Sequence, residues 1–397
     1  MTKRYLFTLF ILLTGAVCLH AQKKEIAQAQ GIIKSGKDVY KAEQQMRALL
    51  KDSVHRKNLK VWATLADAMR SQYLAGNEKL YLRQKQDTAA LFRLALQMFT
   101  DYQCMDSVDA RPDAKGRVKP KYRDSHSSFL NTYRPNLFNG GVFYVRKRQF
   151  QDAFNMMDAY LDCLRQPLFS NYQYDEDPNN KVAAFWIVYC GYHLQNPEMT
   201  LKYKDLALLD SVHLDRCLHY LAETYIRQDS LENYEKMLVE GFNLYPTSPF
   251  FFPRLIDYYN ATNQMDRAAT IVDDALANDS TSELFLIAKG NLLLNRGEYD
   301  ACIAVCDSLI AHNDSLADAY YNVGLAYMNK ALLIEKGKTN AKQRKQMRQF
   351  YRQALPYMER HRALAPEEKE KWATALYKIY LQLNMGKEFE EIDRLLR

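Results

Sequence analysis

A 34-residue period governs the second half of this chain. Leu218, Phe252, Leu286 and Tyr320 fill one large apolar slot. Ala222, Ile256, Gly290 and Gly324 fill a close-packing slot four residues on, and Tyr225, Tyr259, Leu293 and Tyr327 a third slot three residues later. Those offsets place the three slots on one face of a helix. A unit of this size needs to bury a face only against its neighbours. A chain of 397 residues built this way therefore need not split into separate globular domains.

Four units can be laid out, at 215–248, 249–282, 283–316 and 317–368. In the third, Gly290 begins the close contact, Gly297 turns the chain and Tyr299 starts a second helix, on which Cys302, Cys306 and Leu309 share a face. Pro246 closes the first unit, where a proline cannot continue a helix, and Asp279-Ser280 and Asp314-Ser315 hold the matching turn and cap position in the next two. The fourth is 18 residues longer than the repeat. Its extra residues, near 330–349, include Lys336, Lys338, Lys342, Arg344, Lys345 and Arg348. They are read as extensions of both helices around a turn near Gly337, either a solvated hairpin or an anion-docking finger.

Period and pattern together resemble the tetratricopeptide repeat. The resemblance implies an all-α fold, a right-handed α-solenoid of stacked helix–turn–helix units, whose concave face binds protein or peptide partners. Carried over residue by residue, that face takes Ile287, Asn291, Leu294 and Asn295 from the third unit and Tyr321, Leu325, Met328 and Asn329 from the fourth. The asparagines can hydrogen-bond an extended backbone, and Tyr321, Leu325 and Met328 offer apolar contact. Chaperone-binding members of the family hold a peptide carboxylate with a basic residue beside such asparagines. Ile287 and Tyr321 stand at that place here, so carboxy-terminal capture is not expected.

Upstream the period weakens. Leu137, Gly141, Tyr144, Phe150, Ala153 and Met157 mark a unit at 134–167, and 181–214 fits loosely. The two make a degenerate repeat region at 134–214, interrupted by an acidic spacer at 171–180 that is read as a solvated loop. Residues 22–133 form an irregular helical part, with Trp62, Leu65, Ala66 and Met69 mimicking a repeat start and a basic loop at 110–125. At 369–397, Trp372, Leu376 and Tyr380 line one helix and Phe389, Ile392 and Leu395 another. These are capping helices that close an exposed core end.

Residues 1–21 read as a cleavable secretory signal. Lys3 and Arg4 precede an apolar run from Tyr5 to Val17, and Ala21 precedes Gln22. That places the mature chain in the periplasm. Lipid anchoring at Cys18 is the alternative, disfavoured by the bulky Val17 before it. No later segment is apolar enough to span a membrane. Cleavage removes two cations, Lys3 and Arg4, and no acid, lowering the formal charge from +7 to +5. That excess is too small for a nucleic-acid binder. Six cysteines remain, and Cys302 and Cys306 are read as small core side chains.

No catalytic, cofactor-binding or metal-binding constellation is found: no HExxH, no Gly-rich phosphate loop and no GxSxG. His193 and His213 have no obvious carboxylate partner. Asp-Ser or Asp-Thr followed by a small or aliphatic residue, or Thr, recurs at Asp52, Asp87, Asp106, Asp210, Asp229, Asp279, Asp307 and Asp314. The triplets resemble the O-glycosylation acceptor of Bacteroidota periplasmic proteins, and equally fit capping and turn chemistry. The chain therefore reads as a non-catalytic protein-interaction scaffold of the bacterial cell envelope. Two other readings stay open: a glycan or peptidoglycan binder using Tyr and Trp, and an enzyme with its catalytic part near 22–133. Partner identity and oligomeric state are not legible.

Overall fold

The computed structural model describes residues 22–335 and 340–397. The leader at 1–21, with Cys18, and the turn near Gly337 lie outside the described residues. Within them the chain is helical with no strand, built of stacked helix hairpins. The all-α class expected from the repeat is the one observed.

Four helices, α1 (22–35), α2 (Val39–Leu49), α3 (Leu59–Tyr81) and α4 (Thr88–Asp109), precede α5 (Arg123–Tyr133). A hairpin of α6 (Pro135–Arg146) and α7 (Phe150–Asp162) follows. Then α8 (Asn179–His193) is answered by two short pieces, α9 (Pro197–Leu201) and α10 (Lys204–Ala207). The periodic region holds α11 (Leu214–Arg227), α12 (Leu231–Leu244), α13 (Phe251–Ala261), α14 (Met265–Asn278), α15 (Glu283–Asn295), α16 (Tyr299–His312), α17 (Ala317–Glu335) and α18 (Ala341–Leu364). The helices α19 (Lys369–Leu383) and α20 (Gly386–Leu396) end the chain. Packing divides it into two compact units, residues 1–234 and 235–397.

One turn device recurs. Arg148, Gln195, Asp229, Asn263, Gly297 and Asn384 each adopt a positive φ of 53–78° two residues before the second helix of a hairpin. The next residue's N–H then reaches back five residues: Ser230 donates to the Tyr225 carbonyl, Gln264 to Tyr259, Glu298 to Leu293 and Met385 to Tyr380. This is a Schellman closure, and the third slot of the repeat supplies its acceptor. The turn residues 229, 263 and 297 are themselves one period apart, and the next such place is Ala331. That alanine is buried and stays helical, so α17 does not stop there and runs on to Glu335. Its partner α18 starts early, at Ala341, where Asn340 and Gln343 form a reciprocal capping box.

In the unit at 1–234, α6 packs on α7 and α8, and α8 on α11. The acidic spacer is not merely solvated. It folds into a 3-10 turn at Tyr174–Glu176, just after another at Pro167–Phe169, and Asp177 points inward to Arg134. Arg134 is 4% exposed, with Nη1 2.6 Å from Asp177 Oδ2 and Nη2 3.1 Å from Asn180 Oδ1. Its guanidinium stacks on Tyr160 and Tyr174, 3.7 and 4.1 Å from the ring centroids. The cation that Asp177 holds is a side chain drawn from 43 residues upstream, which local spacing cannot reveal. The basic loop is also tied at its end, where Arg123 makes a two-point contact with Asp106 at 2.7 and 2.8 Å.

In the unit at 235–397 two core clusters lie among the later helices. Leu293, Cys302, Cys306 and Val323 gather between α15, α16 and α17. Tyr351, Met358, Trp372, Leu376 and Ile392 gather between α17, α18, α19 and α20. Cys302 and Cys306 are fully buried. Gly290 lets α15 approach them: a Cβ built there would lie 2.6 Å from Cys306 Sγ and 3.4 Å from Asn322 Nδ2. The short, enclosed Cys306 side chain has little room to yield. Gly290→Leu is therefore expected to destabilise the fold by about 2 kcal/mol, overpacking outweighing the better helix propensity. A thermal melt checks this, and an unchanged or higher midpoint would contradict the register.

Candidate functional site

Within residues 235–397, α15 packs against α17 and α17 against α19, so first helices of successive hairpins lie side by side. Of the eight residues that the resemblance assigns to a binding face, seven are exposed or half-buried. Asn291 and Asn295 are exposed one turn apart on α15. Ile287 and Leu294 are half-buried beside them, packed on the Leu293–Val323 core. On α17, Tyr321 and Leu325 are half-buried against the terminal core, and Asn329 is half-buried. Met328 is different. It is 6% exposed and belongs to the core with Tyr351 and Met358, because the lengthened α17 and α18 run side by side and cover it.

Tyr321 is held from behind. Its ring centroid lies 5.0 Å from that of His361, a fully buried residue whose Nδ1 is 3.0 Å from the Ala317 carbonyl. That contact assigns the proton to Nδ1. Burial pushes the Tyr321 phenol above its ordinary range. A cation also stands beside the ring, which sequence reasoning missed: Lys371 Nζ, 5.6 Å from the centroid. Burial opposes the charge on Lys371, but contacts to Glu368 at 2.8 Å and Asp318 at 3.5 Å outweigh it and raise its pKa. It arrives from α19, 50 residues along, so no local motif could announce it. Asn322, one residue after Tyr321, points the other way. It is 2% exposed, and its Nδ2 has no hydrogen-bond partner among the described residues.

A second concentration of chemistry lies on α8 and α11. Trp186 and Tyr189 meet edge to face at 5.4 Å, Tyr189 meets Tyr220 at 5.7 Å, and Tyr192 meets Tyr220 at 4.6 Å. His193 is stacked on Phe150 at 4.7 Å, and burial with nearby Arg148 lowers its pKa. Trp186, Tyr189, Tyr192 and Tyr220 are half-buried, and His193 is exposed. Aromatics at 185, 186, 189 and 192 were a visible signal at helical spacing, unused because it equally suits a core helix. His213 does have a carboxylate partner: its Nδ1 is 2.7 Å from Asp210 Oδ2 across a turn.

Several Asp-Ser and Asp-Thr sites are engaged in local structure. Asp87 caps α4 through the Ala90 N–H, and Asp52, Asp210 and Asp279 each accept from the N–H two residues on. The Cys302 thiol is pushed up by its hydrogen bond with Cys306 and by burial. Among the described residues no three His, Cys, Asp or Glu side chains gather to hold a metal, and no helix is long and apolar enough to cross a membrane.

No family model matches the chain, and no curated protein matches it. Among solved structures it is similar to YrrB, described as a TPR protein with an unusual peptide-binding site. That match has 16% identity and TM-score 0.34, and covers 50% of this chain and 95% of YrrB. It is also similar to PilF of Pseudomonas aeruginosa (14% identity, TM-score 0.31, covering 69% of this chain and 99% of PilF). Yeast Tom70 is similar over 94% of this chain and 90% of its own, at 12% identity and TM-score 0.34.

Proposed function

We propose that this protein is a non-catalytic scaffold that holds a protein or peptide partner along the first-helix face of α15 and α17. The observation that carries the reading is the pair Asn291 and Asn295, exposed one turn apart and flanked by the apolar Ile287, Leu294 and Leu325. That arrangement suits an extended backbone, with amide groups for its N–H and C=O and apolar contact for its side chains. Tyr321, backed by His361, supplies a fixed aromatic anchor.

The test starts with capture of partners from an envelope extract and their identification by mass spectrometry. Titration of the captured partner against an Asn291→Ala, Asn295→Ala variant should then show weaker binding, by about 0.5–1.5 kcal/mol for each lost hydrogen bond, with the thermal midpoint nearly unchanged. Unaltered affinity would rule the face out. The aromatic cluster around Tyr189 and Tyr220 favours glycan binding as a second reading, since sugar rings stack on such faces. Capture of saccharide instead of protein would select it. We further read residues 1–21 as an export signal, placing the mature chain in the periplasm. Amino-terminal sequencing of the exported form should begin at Gln22, and an acylated Cys18 would contradict it.

A further inference from the structure

We infer that the solvent face of α18 between Lys342 and Arg352 is a docking surface for an acidic polypeptide segment, separate from the face of α15 and α17. Residues 336–358 contain no Asp or Glu, yet α18 carries Lys342, Arg344, Lys345, Arg348 and Arg352, all exposed. At 100° per residue these five fall on one side of the helix. Arg344, Arg348 and Arg352 sit on successive turns about 6 Å apart. The opposite side holds Met347, Phe350, Tyr351 and Ala354, packed into the terminal core. The capping box of Asn340 and Gln343 fixes where the helix begins, so the stripe is presented on a preformed element.

What singles the stripe out is that four of its cations lack counter-charge. Elsewhere in the same unit Lys289, Arg296, Lys330, Arg360, Arg362 and Lys371 each pair with a carboxylate. Lys342, Lys345, Arg348 and Arg352 have no ion-pair partner among the described residues. Four like charges within 11 residues repel one another along the helix, a cost that an added row of carboxylates removes.

The surroundings select the kind of anion. A lipid surface would need large apolar side chains on the same face to enter the acyl boundary. Met347 and Phe350, the large apolar residues of this stretch, face the core. A nucleic acid would need a positive field beyond one helix face, or rings for its bases to stack on. The whole chain balances 54 basic residues with 47 acidic ones, and the stripe holds no aromatic. A short acidic segment, with carboxylates at the pitch of a helix or strand, matches the length and charge of the stripe.

The experiment titrates the full chain with fluorescein-labelled oligoglutamate by anisotropy, alongside oligothymidylate and phosphatidylserine vesicles. Oligoglutamate should bind best, and added salt should weaken it. Lys342→Gln, Lys345→Gln, Arg348→Gln and Arg352→Gln together should weaken it about tenfold, because each exposed charge contributes little by itself. Glutamine is a comparable helix former and removes the mutual repulsion, so the melt should not fall. Lys369→Gln with Lys387→Gln, and Asn291→Ala with Asn295→Ala, should leave oligoglutamate binding unchanged. No binding by the natural chain, equal binding by the four-fold variant, or loss in either control pair would overturn the assignment. So would oligothymidylate or the vesicles binding as tightly as oligoglutamate.

Discussion

Arg134→Met is expected to lower the stability of the unit at 1–234 by about 3–5 kcal/mol, the range for breaking a buried ion pair from one side. The guanidinium joins α6 to the 174–180 segment through Asp177 and Asn180 and is sandwiched by Tyr160 and Tyr174. Methionine keeps part of the stacking area and removes the charge and the hydrogen bonds to Asp177, Asn180 and the Tyr160 carbonyl. Asp177, whose side chain is 20% exposed, would retain only the Tyr160 hydroxyl and the Asn179 N–H. Denaturant melts check the magnitude, and faster proteolysis between Leu164 and Asp177 checks the location.

The pH dependence supplies a sign. Burial raises the Asp177 pKa, but hydrogen bonds from Tyr160, Arg134 and the Asn179 N–H outweigh it and leave it lowered. A carboxylate with a lowered folded pKa contributes stability above its unfolded value near ~3.9, and loses it as pH falls through the folded value. The gap between the natural chain and Arg134→Met should therefore be full at neutral pH and shrink below about pH 4. A gap that widened in acid would mean that Asp177 is not the partner that matters.

Gly191→Ala should be the most costly Gly→Ala change among the described residues, at about 3 kcal/mol or more. A Cβ on Gly191 of α8 would lie 2.4 Å from the backbone N of Thr200 and 2.7 Å from its Cα. Backbone cannot swing aside as a side chain can. Thr200 is moreover locked by its N–H and hydroxyl, both donating to the Asn196 carbonyl. Adding the methyl must lift α9 off α8. Gly324→Ala is the comparison, since its Cβ would meet the Met358 Cε at 2.6 Å, the end of a flexible chain that can retreat. Melts of the two variants should differ clearly, with Gly191→Ala far lower. Equal shifts would show that α9 is mobile enough to yield.

The periodic region was legible because each slot is a local requirement. A large residue every 34 positions, a small one four later and a closing carbonyl three after that are conditions each hairpin must meet to stack. The turns were only partly legible. Gly297 is recognisable, but Arg148, Gln195 and Asp229 perform the same left-handed closure without glycine, held there by the helices on either side. Outward exposure was legible where residues project from a regular hairpin, as with Asn291 and Asn295. It was not legible at Met328, where the lengthened hairpin covers a position that an ordinary repeat leaves open.

The sequence by itself determined the helix class, the period, the register of the hairpins and the extension of α17 and α18. Each follows from residue size and turn chemistry within about one repeat length. Tertiary structure alone decided that Arg134 reaches Asp177, that Lys371 stands over Tyr321 and that Lys342, Lys345, Arg348 and Arg352 have no ion-pair partner among the described residues. These outcomes depend on which side chains of separate elements or turns come within a few ångströms once the hairpins stack. Charge interactions and hydrogen bonds fall off over that distance, and the order of residues along the chain does not encode it.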